Sequence, residues 1–189
     1  MSAPSPPPAD ATAASRHDIA LAARSEAVSQ LRCELLRRWT ISAAALDVCR
    51  FLLLLWLGLN SLAALAVLAF VSFGVAHQCA ARRRPRLAAS AVTVALALPA
   101  IVGCFLLGWE SGYHYSLWLL VPLLTHQRAV ASALTMLLLV AIYLGLHALT
   151  PLAASTTAVS THSLLAIHAL NAGTGLALAG LWAFLAGKR

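Results

Sequence analysis

Histidines and one glutamate in the second half of the chain are the side chains best suited to chemistry. Glu110 and His114 are four residues apart, so they share a face if this segment is helical. With His147, they form the set that we consider for a divalent metal, and neutral imidazoles can also sense proton activity. The competing interpretation is that headgroups and water satisfy these side chains at the membrane interface. We predict that no cofactor is required and keep a divalent metal as a hypothesis.

Two glycines, Gly108 and Gly112, bracket a short polar segment and would let its backbone approach a ligand closely. The ligand site predicted there consists of Trp109, Glu110, Tyr113, His114 and His168. A haem between His147 and either His162 or His168 is an alternative use of the same histidines, because b-type haem needs two facing imidazoles.

Asp47 and Arg50 are charged residues in an otherwise apolar stretch, and their spacing of three places them on one helix face. An unpaired charge inside a bilayer costs at least about 2.5–3.5 kcal/mol, which favours a structural ionic pair. A switchable contact that reports helix movement is the alternative. Three small residues, Ala169, Gly173 and Ala177, recur at four-residue spacing and predict close helix packing, either within the bundle or in a dimer.

Motifs of soluble enzymes do not occur in the sequence, which contains no Walker A loop, nucleophile elbow or HExxH motif. We therefore predict that this chain alone is not an enzyme. The four cysteines lack CxxC spacing and are interpreted as small core side chains. The net charge of +7 does not indicate nucleic-acid binding, because 11 of the 13 Lys and Arg residues lie in the N-terminal segment, one short run and the last two residues.

The composition indicates that lipid is the solvent of this protein. Hydrophobic residues make up 61% of the chain and charged residues 10%, whereas soluble domains have about 45–50% and about 25%. We therefore predict an all-α integral membrane bundle. Residues 1–17 are predicted to be disordered, residues 18–40 to form a cytoplasmic amphipathic helix with Asp18 as its N-cap, and residues 41–187 to form the transmembrane domain.

Six apolar stretches are long enough, or nearly so, to cross the bilayer, which takes about 20 residues. They are residues 41–58, 61–80, 87–107, 113–127, 129–149 and 163–186. The run Gly58-Leu59-Asn60-Ser61 predicts a turn between the first two, which would otherwise form one continuous apolar stretch. The fourth is short and contains Pro122, so a re-entrant segment that reduces the count to five is the alternative.

The basic residues predict the orientation of these spans. The connections after the first, third and fifth spans contain no Lys or Arg, whereas Arg82–Arg86, Arg128 and both termini are basic. By the positive-inside rule, both chain ends lie in the cytoplasm. The predicted location is the cytoplasmic (inner) membrane of a bacterium, with the lipid bilayer as the first partner.

The run from Leu107 to Leu124, which begins Leu-Gly-Trp-Glu-Ser-Gly-Tyr-His-Tyr, resembles the segment between the third and fourth helices of a known family. The family comprises the six-helix membrane domains that precede bacterial nucleotide cyclase domains. These cyclases are GGDEF diguanylate cyclases or class III adenylate and guanylate cyclases. Asn60-Ser61-Leu62 and the basic turn at Arg82–Arg86 are similar to the same pattern.

The resemblance implies a sensory or anchoring module in cyclic-di-GMP or cAMP signalling. Such a module would form a homodimer, perceive a periplasmic or intramembrane cue, and pass it through the sixth helix to a cytoplasmic cyclase domain. The sequence contains no catalytic motif of a cyclase and stops at Arg189, where a signalling helix would begin. A small multi-pass transporter or channel and a membrane haem protein are the alternative functions.

Overall fold

The computed structural model describes residues 9–121, 129–153 and 159–187, and this part of the chain contains helices and no strands. The long helices are α1 (Ala9–Trp56), α2 (Asn60–Ala81), α3 (Pro85–Leu107), α5 (Ala129–Ala153) and α6 (Thr161–Gly187). A 3-10 turn (Trp109–Ser111) and the short helix α4 (Tyr115–Trp118) follow α3. The all-helical prediction is confirmed.

Helix α1 is a single helix of 48 residues, although the sequence predicted an amphipathic helix and a separate first span. It begins at Ala9, within the segment predicted to be disordered and before the predicted N-cap Asp18. It also continues without a break across residues 40 and 41. The physical reason is that residues 9–56 contain neither Gly nor Pro and are rich in Ala, Leu and Arg, which favour helix. Residues 1–8 of the predicted tail lie outside the described residues.

Two tight turns connect α1 to α2 and α2 to α3. In the first, the amide of Gly58 donates to the carbonyl of Leu55, and that of Leu59 to the carbonyl of Leu54, while Gly58 has a positive φ of 73°. This is a Schellman motif, which glycine normally completes. The turn that the sequence predicted around Gly58 is therefore confirmed.

Small side chains line the contact between the first three helices. The buried face of α2 consists largely of alanines at spacings of three and four, and α3 adds Ala88, Ala95, Ala100 and Gly103. Small residues let helix backbones approach closely, which replaces the hydrophobic driving force that is absent between helices in lipid. The resulting core positions the ends of the helices and the loops that join them.

Trp39 connects α1 to two other helices. Its ring contacts Phe73 of α2 and Trp182 of α6 edge to face, with centroids 6.2 and 6.3 Å away. Its indole Nε1 donates a hydrogen bond to the carbonyl of Leu178 at 3.1 Å. Only 1% of Trp39 is exposed, so the segment that the sequence assigned to a cytoplasmic amphipathic helix contributes to the bundle core.

Four described helical segments are long and apolar enough to cross a membrane, namely Ile19–Trp56, Asn60–Ala81, Pro85–Leu107 and Thr161–Gly187. A shorter apolar segment, Met136–Thr150, lies in α5. Large apolar side chains on the outer faces, such as Leu52, Val71 and Leu176, are exposed, as expected for contact with lipid. These features indicate a membrane protein.

The predicted fourth span is only partly described. Residues 113 and 114 form a turn and α4 has four residues, so a long helix does not begin at residue 113 as predicted. Residues 120 and 121 are again helical, whereas Pro122, His126 and Arg128 lie outside the described residues. The six-span count therefore stays a prediction.

Candidate functional site

The candidate site is built around residues 108–114, which we call the Trp109 loop. The loop follows α3 and reverses direction through two glycines with positive φ, Gly108 at 84° and Gly112 at 73°. L side chains rarely adopt this region, which explains glycine at both positions. A Cβ at Gly112 would also lie 3.3 Å from Nδ1 of His168, so the glycine permits a close approach to α6.

Three hydrogen bonds to backbone carbonyls hold the Trp109 loop in place. Nδ1 of His168 lies 2.8 Å from the carbonyl oxygen of Glu110. The Asn171 amide donates to the carbonyl of Ser111 at 3.0 Å, and the Ser111 hydroxyl donates to the carbonyl of Gly108 at 2.7 Å. Asn171 lies on α6, so its hydrogen bond joins this helix to the loop. The first two contacts attach the loop to α6, and the third lies within the loop.

Trp109 is the centre of a cluster of rings. It stacks on His114 with centroids 4.0 Å apart and an interplanar angle of 2°. Tyr143 and His147 of α5 contact it edge to face, at 4.9 and 4.7 Å. Aromatic pairs at these distances stabilise by about 0.5–1.5 kcal/mol beyond area burial. The cluster therefore attaches the loop to α5.

His114 is the most enclosed polar side chain of this cluster, with 4% of its surface exposed. Its Nδ1 has no hydrogen-bond partner among the described residues. The residue lies in the loop rather than in a long helix. Burial and the neighbouring His168 and His147 lower the pKa of His114 below its ordinary value, against a backbone hydrogen bond with Trp109 that raises it. The shift favours the neutral ring, and the Nδ1 of this ring is a buried polar atom that a ligand could satisfy.

Tyr113 points from the loop into the bundle and lies against α3 and α1. A Cβ at Gly103 would come within 2.4 Å of the Tyr113 ring, so only glycine fits beneath it. On the other side, the guanidinium carbon of Arg50 lies 5.9 Å from the ring centroid, within cation–π range. The loop thus also contacts the first helix.

Asp47 and Arg50 form the ionic pair that the sequence predicted. Nε of Arg50 donates to Oδ1 of Asp47 at 3.0 Å, and both side chains are buried. The second carboxylate oxygen of Asp47 has no partner among the described residues. Removal of one member of a buried pair typically costs 3–5 kcal/mol. Arg50 is held in place by Asp47 and faces Tyr113.

The structure brings most of the predicted ligand-site residues together, but in different roles. Trp109, Tyr113 and His114 are adjacent in the loop, whereas the Glu110 side chain is exposed and only its carbonyl contacts His168. Glu110 and His114 do not share a helix face, because a 3-10 turn and a reverse turn separate them.

The predicted metal set of Glu110, His114 and His147 stays a prediction. In the described segments, no three His, Cys, Asp or Glu side chains form a group that could hold a metal ion. His147 contacts Trp109, which also stacks on His114. Of the haem candidates, His162 is exposed, whereas His168 contacts the loop.

Sequence reasoning missed Tyr143 and Gly103. Tyr143 precedes His147 by four residues on α5, so helical spacing could have placed it on the same face. No sequence signal indicated that Gly103 lies beneath the Tyr113 ring, because this contact depends on the path of the loop.

The small residues of α6 do not pack within the described bundle. Ala169, Gly173 and Ala177 are exposed, and a Cβ at Gly173 would meet no described atom within 4 Å. The dimer contact that the sequence offered as one alternative stays a prediction. No family model, curated protein or solved structure matches the sequence.

Proposed function

We propose that the chain is the membrane-integral sensory module of a cyclic-nucleotide signalling system. In this proposal six spans place both chain ends in the cytoplasm of a bacterium and the Trp109 loop at the periplasmic side. A homodimer passes the cue to a fused or separate cyclase domain, which supplies the catalysis. The resemblance of residues 107–124 to cyclase-linked membrane domains supports the assignment to cyclic-di-GMP or cAMP.

One observation carries the proposal: the Trp109 loop contacts the long helices around it and contains a buried imidazole, that of His114, whose Nδ1 has no hydrogen-bond partner among the described residues. His168 and Asn171 attach the loop to α6, and the Trp109 ring attaches it to α5. Tyr113 attaches it to α3 and α1. Because Nδ1 of His114 is buried, a ligand can bond to it only if side chains packed around the imidazole move. The helices would then repack, as population shift between two arrangements requires.

Two helices could carry such a change to the opposite end of the bundle. Helix α6 contacts the loop through His168 and Asn171, so a movement of the loop would displace it, and it ends at Gly187. Helix α1 contacts the loop through Arg50, which faces Tyr113. It is longer than a bilayer is thick, since 48 residues span about 72 Å. Helix α6, which corresponds to the sixth predicted span, is the helix proposed to pass the signal to the cyclase domain. Helix α1 is a second helix through which the same movement could reach the cytoplasmic end.

A fusion assay tests the function. A diguanylate cyclase catalytic domain is joined after Arg189, and cyclic-di-GMP is measured in cells at equal membrane abundance. We expect Trp109→Ala and His114→Ala to change the output by severalfold. The matched control is Trp56→Ala, which removes a tryptophan that is 80% exposed. Output equal to wild type in both loop variants would count against a sensory role for the loop.

A further inference from the structure

A concave site lies at the other end of the bundle, between α1 and the turn that joins α2 to α3. It is a cavity of about 540 Å³, within the range of about 300–1,000 Å³ that small-ligand sites occupy. Its lining includes Gln30, Cys33, Glu34, Arg37, Ala80 and Arg83. None of these residues belongs to the Trp109 loop.

The cavity lies where lipid headgroups are expected. Helix α2 has 22 residues and is therefore about 33 Å long, close to the hydrocarbon thickness of about 30 Å. Ala80, near its last residue, lines the cavity, so the opening is at the boundary between hydrocarbon and headgroups. We expect the phosphates of the bilayer at this level.

The charges around the cavity suit an anion. Arg37 and Arg83 are exposed and reach it from two different elements. Glu34 is the carboxylate in the lining, and it already forms an ion pair with Arg38 at 2.8 Å. Arg82, Arg84 and Arg86 lie in the adjacent turn and add positive potential. Guanidinium groups recognise phosphate through paired N–H donors.

The backbone at Arg83 provides an independent argument. The amide of Arg83 donates to the carbonyl of Ala80 and that of Arg84 to the carbonyl of Cys79, which is a second Schellman motif. Arg83 has a φ of 56° and is the only non-glycine residue with positive φ among those described. The equivalent position of the preceding turn is Gly58. An arginine at this position is strained, and strained residues concentrate where a side chain has a function.

We propose that this cavity binds the phosphate headgroup of an anionic phospholipid, with Arg37 and Arg83 as its ligands. The apolar wall provided by Ala27, Leu31 and Ala80 continues toward the hydrocarbon, which suits a lipid better than a free phosphate. The proposal does not depend on the sensory function. It also gives the long α1 helix a contact at the membrane surface.

Titration of the detergent-solubilised full chain with short-chain phosphatidylglycerol tests the site, with thermal stabilisation as the readout. The variant Arg37→Gln/Arg83→Gln removes both ligands. The matched control Arg82→Gln/Arg84→Gln removes two charges from the same turn but none from the cavity lining. We expect the cavity variant to weaken apparent binding by about 10- to 30-fold and the control to change it less than about threefold.

Two further titrations separate the possible sources of the anion. Short-chain phosphatidylcholine should bind much more weakly, because its headgroup carries no net charge. Inorganic phosphate that stabilises the chain as strongly as phosphatidylglycerol would overturn the lipid assignment. Equal loss of binding in both double variants would overturn the site itself, since it would indicate diffuse charge attraction.

The single variant Arg83→Gly keeps the proposal testable even if the double variant folds poorly. Glycine relieves the positive φ, so we expect the melting temperature without lipid to rise by a few degrees. Phosphatidylglycerol binding should nevertheless fall by about fivefold to tenfold. Wild-type phosphatidylglycerol affinity in this more stable variant would overturn the role of Arg83.

Discussion

Gly103 and Tyr113 are in such close contact that the size of one fixes the position of the other. The ring of Tyr113 occupies the space that a Cβ at residue 103 would need, and 2% of this tyrosine is exposed. Close packing of this kind transmits displacement, because neither group can move without the other. It is the direct mechanical connection between the Trp109 loop and α3.

Gly103→Ala should therefore displace the loop and destabilise the fold by about 1–3 kcal/mol, the usual cost of overpacking. The measurement is thermal unfolding in detergent. Gly74→Ala is the matched control, because a Cβ there meets nothing within 4 Å and alanine favours helix. In a Tyr113→Ala background, Gly103→Ala should cost much less stability, because the ring that the new Cβ would meet is absent. An unchanged melting temperature in Gly103→Ala would contradict the contact.

His114 should make stability depend on pH in a defined direction. The pKa of His114 is lowered by burial in the folded state, so the unfolded chain binds the proton more readily. Stability is then retained above the ordinary pKa of about 6.5 and falls as the pH drops below it. We expect His114→Phe, which keeps a ring against Trp109, to lose this part of the dependence. The measurement is the difference between the melting temperatures at pH 7.5 and pH 5.5. Equal differences in the wild type and in His114→Phe would contradict the prediction.

At the scale of elements, the sequence predicted the apolar helices well and their junctions less well. The turn at Gly58 was predicted because a glycine with turn-forming neighbours interrupts a long apolar run. The continuity of α1 was not predicted, because the change from an amphipathic to an apolar pattern at residue 40 indicated a boundary between two helices. Periodicity reports which face is buried, whereas only Gly, Pro or a cap ends a helix.

The loop conformation was less accessible from the sequence than the helices. Two glycines predicted a close approach, but a 3-10 turn rather than a regular helix follows α3. The exposed Glu110 side chain and the buried His114 side chain follow from that turn. The residues of the candidate site could thus be named from their types, while their partners could not, since these come from α5 and α6.

Substitutions of Trp39 test whether the part of α1 before residue 41 packs in the bundle. Trp39→Ala should cost about 3–5 kcal/mol, because it removes a buried ring between α2 and α6. Trp39→Phe should cost less, since it retains a ring and loses the hydrogen bond to Leu178. Trp56→Ala, on the same helix but exposed, should change stability by less than about 0.5 kcal/mol. Equal effects of Trp39→Ala and Trp56→Ala in thermal unfolding would contradict the packing.

At the scale of the whole molecule, the two ends of the bundle differ in chemistry. One end has the Trp109 loop, with buried rings, a neutral histidine and no Lys or Arg. The other end has the turn between α2 and α3, which contains Arg82, Arg83 and Arg84 and which we call the arginine turn, and the cavity between this turn and α1. The proposed roles depend on this asymmetry, because a cue received at the loop and an output at the chain ends must lie on opposite sides of the membrane.

Topology is therefore the prediction on which the proposed function depends most. In a background in which all four cysteines are replaced, Glu110→Cys and Arg84→Cys each introduce one thiol at an exposed position. A membrane-impermeant maleimide added to intact cells should label residue 110 and leave residue 84 unlabelled until the membrane is permeabilised. The reason is that arginines are retained on the cytoplasmic side. Labelling of both positions from the same side would remove the periplasm-facing site, while binding of phosphatidylglycerol at the arginine turn would be unaffected.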